Sequence, residues 1–276
     1  MKRFFKSVGL TTMFIVAFAL CMFVVGAVVS ICMPNLPADI SFILLYFCSM
    51  FTIYGATLLI ERAAFKRVLP VYNSRRGFNP VSLLMGVVLI ISISIVLLPL
   101  EGVLSPDSRA FGDGPCTLIA VVVLAPIFEE MIFRARFYNI LSRNTSPLMS
   151  ASLSAIAFGV VHMEPIVVVE ALVVGVVLSY YYLSKRSIFA PVILHMFNNA
   201  IGYLLIVMSY RGESLRSIVS SGEMQLAVYL VATAIVVSSA VVILRFFVKE
   251  KRQMRGVECQ DMETLVEHHD PDQLAK

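Results

Sequence analysis

Long apolar runs alternate with short polar breaks along nearly the whole chain. The runs cover roughly 8–33, 39–60, 80–100, 116–140, 147–163, 166–184, 188–209 and 224–248. A membrane-crossing helix needs about 20 mostly apolar residues, so the pattern predicts about eight transmembrane helices. The breaks have physical causes. Pro34 and Pro37 interrupt the chain after the first run, and a polar Gly/Pro loop, SPDSRAFGDGP, follows the third. Pro147, Pro165 and Pro191 sit at or near helix starts, where a missing N–H is tolerated. The run at 147–163 is short, and its join to the next at Met163-Glu164-Pro165 is tight, which predicts a compact helical hairpin.

Composition supports lipid as the solvent. Of 276 residues, 59% are hydrophobic and only 14% are charged; a soluble domain carries charge on about a quarter of its residues. Mean hydropathy is +0.87. The net charge of +4 is not a nucleic-acid signal. Cys21, Cys32, Cys48, Cys116 and Cys259 are scattered without a CxxC pair, so neither a disulfide framework nor a thiolate metal site is predicted. Trp is absent, leaving Tyr and Phe, such as Tyr180, Tyr181 and Tyr182, for interfacial anchoring. The N-terminal MKRFFKSVGL resembles the start of a signal peptide. The apolar run after it is longer than a signal core and ends at Pro34 without a small-residue cleavage site, so it reads as a retained helix.

Lys and Arg positions set the expected orientation. With a cytoplasmic N-terminus, every basic residue except Arg109, Arg211 and Arg216 falls on the inside, Arg134, Arg136 and Arg143 included. The alternation needs an even number of spans and puts both termini in the cytoplasm. The expectation is an all-α polytopic membrane protein: one transmembrane domain over 1–248, and a polar, flexible cytoplasmic tail over 249–276.

Ionisable groups inside membrane spans are functional candidates by default. In the fourth span, APIFEEMIFRARF, Glu129 and Glu130 are adjacent and project about 100° apart, so they are not expected to serve one partner. Glu130 and Arg134, at i and i+4, can pair along one face. That leaves Glu129 to face a cavity, where a partly desolvated carboxylate can act as a general base; the alternative is a structural ion pair near the interface. In the fifth span, AFGVVH, Phe158 and His162 share a helix face, and His162 could equally be a packing residue. In the seventh, PVILHMFNNA, His195 and Asn199 are also i, i+4. Two donors side by side suit a developing oxyanion, or simply interhelical hydrogen bonding. Two His residues and a Glu-Glu pair on three spans are best accommodated around one wet cavity.

EEMIFR (129–134) fits E-E-x-x-x-R, FGVVH (158–162) fits F-x-x-x-H and HMFNN (195–199) fits H-x-x-x-N. In this order on successive helices, the chain resembles the CAAX-protease and bacteriocin-processing family of intramembrane glutamic endopeptidases, which includes the type II CAAX prenyl endopeptidases. The resemblance covers about 116–205. It implies a peptidase in which Glu129 activates water, His162 helps to hold that water, and His195 and Asn199 stabilise the oxyanion. Glu130, Arg134 and Phe158 would support the site. No cofactor is expected. The implied substrate is a membrane-associated or prenylated peptide. The preferred location is a bacterial cytoplasmic membrane, or the endoplasmic reticulum if the source is eukaryotic. Glu170, in the sixth span, has no role in the family pattern. Three other readings compete. One is a zinc peptidase using His162, His195 and a Glu. Another is a non-catalytic immunity or scaffold protein. The third is a proton-coupled transporter with Glu129, Glu130 and Glu170 as relay, although no matched broken halves are visible.

Overall fold

The computed structural model describes residues 2–66, 68, 70–74, 79–104, 114–210 and 221–267, without the side chains of 2–4, 38, 64–65, 101–104, 206–210 and 254–267. The basic residues Arg109, Arg211 and Arg216 and the tail histidines His268 and His269 lie outside the described residues. Eight helices occur among the described residues, one for each predicted run. They are α1 (Lys2–Cys32), α2 (Ala38–Phe65), α3 (Pro80–Leu104), α4 (Pro115–Ser142), α5 (Pro147–Val160), α6 (Pro165–Lys185), α7 (Phe189–Tyr210) and α8 (Gly222–Glu267). Six (α1, α2, α3, α4, α6 and α8) are long and apolar enough to cross a membrane, while α5 and the described part of α7 are shorter apolar helices. The protein is an all-α, multi-pass membrane protein.

α4 is the centre of the bundle. Its Ala135 and Tyr138 join a core with Ile90 of α3, Leu178 of α6, Leu194 of α7 and Phe247 of α8. Its Ile132, Phe133 and Phe137 join a second core with Phe18 of α1, Met50 of α2 and Phe158 of α5. The helix is not regular. Two π-helical stretches, Ala120–Leu124 and Met131–Tyr138, flank the α-helical segment Ala125–Glu130. Such insertions are rare and concentrate at functional sites.

α5 and α6 form the expected hairpin. α5 ends at Val160, and Met163 turns the chain with a positive φ of 62°. Pro165 then opens α6 at its first position, where no N–H is needed. Glycine brings the two helices close. A Cβ at Gly175 would lie 2.9 Å from the Ala155 Cβ, and one at Gly159 would lie 2.9 Å from the Val168 carbonyl oxygen. Small residues at a crossing let two backbones approach within a membrane.

One sequence expectation changes here. His162 lies beyond the last turn of α5, because the αL residue and Pro165 end the helix first. Arg134 and Arg136, counted in the inside-facing set, are buried and paired with acids. α8 continues past its apolar portion to Glu267.

Candidate active site

The site is built around Glu129 and Glu130, near the middle of the 28-residue α4. Both are buried, at 7% and 0% exposure. The i, i+4 pair forms as the spacing requires: Arg134 Nη1 donates to Glu130 Oε1 at 2.9 Å. Arg134 is fully buried. Its Nη2 donates to the Gly175 carbonyl at 3.2 Å, and its guanidinium lies 4.4 Å over the Phe158 ring. Gly175 therefore matters twice, since a Cβ there would also stand 3.3 Å from Arg134 Nη2.

α7 brings His195 against this pair. Its Nδ1 lies 2.9 Å from Glu130 Oε1. A carboxylate oxygen already bonded by Arg134 is an acceptor, so Nδ1 carries the proton that donates to it. Nε2, on the opposite side of the ring, is 3.6 Å from Glu129 Oε2. The adjacent carboxylates thus do meet one partner, contrary to the sequence expectation. An imidazole has two nitrogens facing apart, so one ring spans two acids about 100° apart on a helix.

Phe158 occupies the space between the two histidines. Its ring is edge-to-face with His195 at 5.4 Å and with His162 at 4.9 Å. The Nδ1 of His162 is 2.7 Å from the Phe158 carbonyl oxygen. A carbonyl only accepts, so Nδ1–H is the donor, and in the neutral ring Nε2 keeps its lone pair.

Asn199, one turn beyond His195, donates from Nδ2 to the Val121 carbonyl at 2.9 Å. The local sequence explains why that oxygen is available. In the π register, Ala125 N–H bonds to Ala120 O. Val121 would then be served by residue 126, which is proline and has no N–H. Asn199 fills the gap and keeps a second amide hydrogen. Asn198 leans back onto the Asn199 side-chain oxygen at 3.4 Å.

The third polar layer comes from α2, which the sequence motifs do not touch. Tyr46 donates its hydroxyl to Glu129 Oε1 at 2.5 Å. Glu61, fully buried, accepts from Arg136 Nη1 at 3.0 Å. Asp39 accepts from the Thr117 N–H and hydroxyl, both at 2.7 Å, and from the Cys116 N–H at 3.2 Å, at the start of α4. Sequence reasoning could have found Glu61, because a buried Arg136 needs an acid and Glu130 is already taken. Nothing in the sequence marks Tyr46. Glu170 accepts from Ser94 of α3 at 2.8 Å, away from the Glu129–Glu130 contacts.

For the zinc reading with His162, His195 and a Glu, among the described residues no three His, Cys, Asp or Glu side chains are grouped to hold a metal.

Comparison with known proteins addresses the same stretch. Residues 113–201 match the family described as Type II CAAX prenyl endopeptidase Rce1-like. A Bacillus subtilis (strain 168) protein named "Putative membrane peptidase YdiL" is 26% identical over 85 residues, which is 31% of this chain and 35% of that protein. The match thus spans about a third of the relative's length. No solved structure matches the chain significantly. The matched stretch starts just before α4, ends within α7 and contains all three motifs. Over residues 113–201, which hold all three motifs, this membrane protein is similar to the Rce1-like, type II CAAX prenyl endopeptidase family.

Proposed function

We propose that the protein is an intramembrane glutamic endopeptidase that hydrolyses a peptide bond in a membrane-associated or lipidated peptide. The observation that carries the proposal is the buried Glu129–His195–Glu130 arrangement in mid-helix, inside the matched stretch. Burying two carboxylates, an imidazole and a guanidinium among apolar helices is costly. Water activation gives that arrangement a use.

In this reading Glu129 Oε2 takes a proton from water as the water oxygen attacks the scissile carbonyl carbon. The His162 Nε2 lone pair accepts a hydrogen bond from the same water. The new oxyanion is held by Nε2–H of His195, as imidazolium, and by the second amide hydrogen of Asn199. Donors fixed in a low-dielectric site stabilise developing charge without reorganising. The tetrahedral adduct then collapses. The C–N bond breaks, Glu129 returns its proton to the leaving amine, and a carboxylic acid and an amine result. Glu130 holds Nδ1–H of His195 and so fixes the tilt of the ring, as the third member of a triad does. Arg134 holds Glu130 in place through their ion pair, and Phe158 packs both imidazoles. No metal enters this scheme.

The test is cleavage by purified protein in lipid vesicles. The substrates are a farnesylated Cys-aliphatic-aliphatic-X peptide, its unprenylated form and a single-span membrane peptide. Wild type should cleave at least one of them, with or without chelator. His195→Ala should lose about a hundredfold or more in rate, the scale of one lost oxyanion donor. Cleavage abolished by chelator and restored by zinc would replace this scheme with a metallopeptidase. No cleavage of any substrate would favour an immunity or scaffold role.

A further inference from the structure

α2 lies outside the matched stretch 113–201 and carries none of the three motifs, yet it touches α4 by polar contacts along its whole length. Asp39, near its start, binds the first turn of α4; Glu61, near its end, binds Arg136, near the end of α4. Start meets start and end meets end, so the two helices run in the same direction. They are also pinned against sliding, because a shift of one residue would break a buried ion pair and a helix-end bond together. Tyr46 lies between these pins, and its hydroxyl reaches Glu129 Oε1. A separation of 2.5 Å is that of a hydroxyl donating to a carboxylate.

The consequence falls on the other oxygen. Among the described residues Glu129 Oε2 accepts no hydrogen bond, and it is the oxygen that faces His195 Nε2 at 3.6 Å. A glutamate carboxylate turns broadly about its last torsion, and nothing on α4 itself fixes that torsion for Glu129. The phenol does.

We propose that Tyr46 is a positioning residue for the peptidase reaction: its hydroxyl occupies Glu129 Oε1, fixes the carboxylate plane, and leaves Oε2 beside His195 as the atom that takes the proton from water. This rests on the reading of Glu129 as general base. It also gives α2 a part in the chemistry, as the helix that aims the base. A phenol held between the two pins has its hydroxyl where Glu129 needs it, whereas phenylalanine at the same place would fill the volume and leave the carboxylate free to turn.

The test compares Tyr46→Phe with wild type and with Tyr54→Phe on the cleaved peptide of the vesicle panel. Tyr54 is two turns further along α2, beside Arg136, and serves as the control. Tyr46→Phe should lower kcat about ten- to a hundredfold, the scale of one hydrogen bond to a charged group, with KM within about twofold. Tyr54→Phe should keep the wild-type kcat. A packing role would instead lower the amount of folded protein or move both variants alike. A second readout needs no substrate: with 3-fluorotyrosine at position 46, the fluorine resonance should move in Glu129→Gln and stay in place in Glu170→Gln. A wild-type kcat in Tyr46→Phe, a change confined to KM, or a resonance indifferent to Glu129→Gln overturns the inference. Full cleavage by Glu129→Gln overturns the underlying reading of Glu129 as general base. Loss in Glu129→Gln with a normal Tyr46→Phe overturns the positioning role alone.

Discussion

α1 and α8 differ sharply from α4 and α6, although hydropathy ranks them the other way round. The most apolar windows of α1 and α8 have mean hydropathies of 2.8 and 2.5, and only 6% and 11% of their positions are buried by protein. Those of α4 and α6 are both 2.1, and 44% and 50% of their positions are buried. Of these four helices, the two less hydrophobic ones are the inner ones. Lipid tails are as apolar as leucine, so apolarity alone does not draw one membrane helix against another. What holds α4 and α6 inside is polar and small: Arg134 on the Gly175 carbonyl, Ser154 on the Phe133 carbonyl, and the close approach at Gly159 and Gly175. α1 and α8 present Phe23, Ile31, Leu230 and Leu244 outward, where hydropathy is all that is needed.

The largest contrast should come from the charges. Arg134→Met leaves Glu130 buried without its cation and should cost about 3–5 kcal/mol, whereas Arg245→Ala, on the outside of α8, should stay within about 0.5 kcal/mol. Unfolding measured in the same lipid or detergent compares the two, and equal costs would break the distinction. Next is the close crossing. Gly175→Val forces atoms against Ala155 and Arg134 Nη2 and should cost about 1–3 kcal/mol. If it unfolds like wild type, the helices do not approach as described. Phe158→Leu keeps most of the volume but removes the ring under Arg134 and between the imidazoles. A loss of about 1–2 kcal/mol is expected, together with slower cleavage. Smallest is Phe23→Leu on α1, where 74% of the residue is exposed; a change within about 0.5 kcal/mol is expected.

Much of this architecture is legible in the residues, because much of it is local. Apolar run lengths and prolines mark all eight helices. The Glu130–Arg134 pair follows from a four-residue spacing on one helix, and the α5–α6 hairpin from a short run before Pro165. What escapes is set by register and by distance along the chain. Without π-helical turns there is no reason for Asn199 to seek the Val121 carbonyl; with them, Pro126 supplies one. His162 looks helical until the left-handed Met163 is seen to end the turn first. The bridging of both glutamates by His195 depends on how α7 lies against α4. Tyr46 is 83 residues from its partner and resembles any other aromatic in a lipid-facing run. Arg134 and Arg136 each pair with a buried acid: Glu130 on the same helix, as the spacing predicts, and Glu61 on α2, which the sequence motifs do not point to.

Two half-buried or buried acids in the bundle offer the most direct test of the central claim. Glu129 faces His195, and Glu170 bonds to Ser94. The measurement is the initial rate of peptide cleavage in vesicles by Glu129→Gln and by Glu170→Gln, each at matched folded concentration. The account predicts that Glu129→Gln loses about a hundredfold to ten-thousandfold, the range of a removed general base, while Glu170→Gln keeps more than about half of the wild-type rate. Full activity in Glu129→Gln, or loss in Glu170→Gln alone, would contradict it.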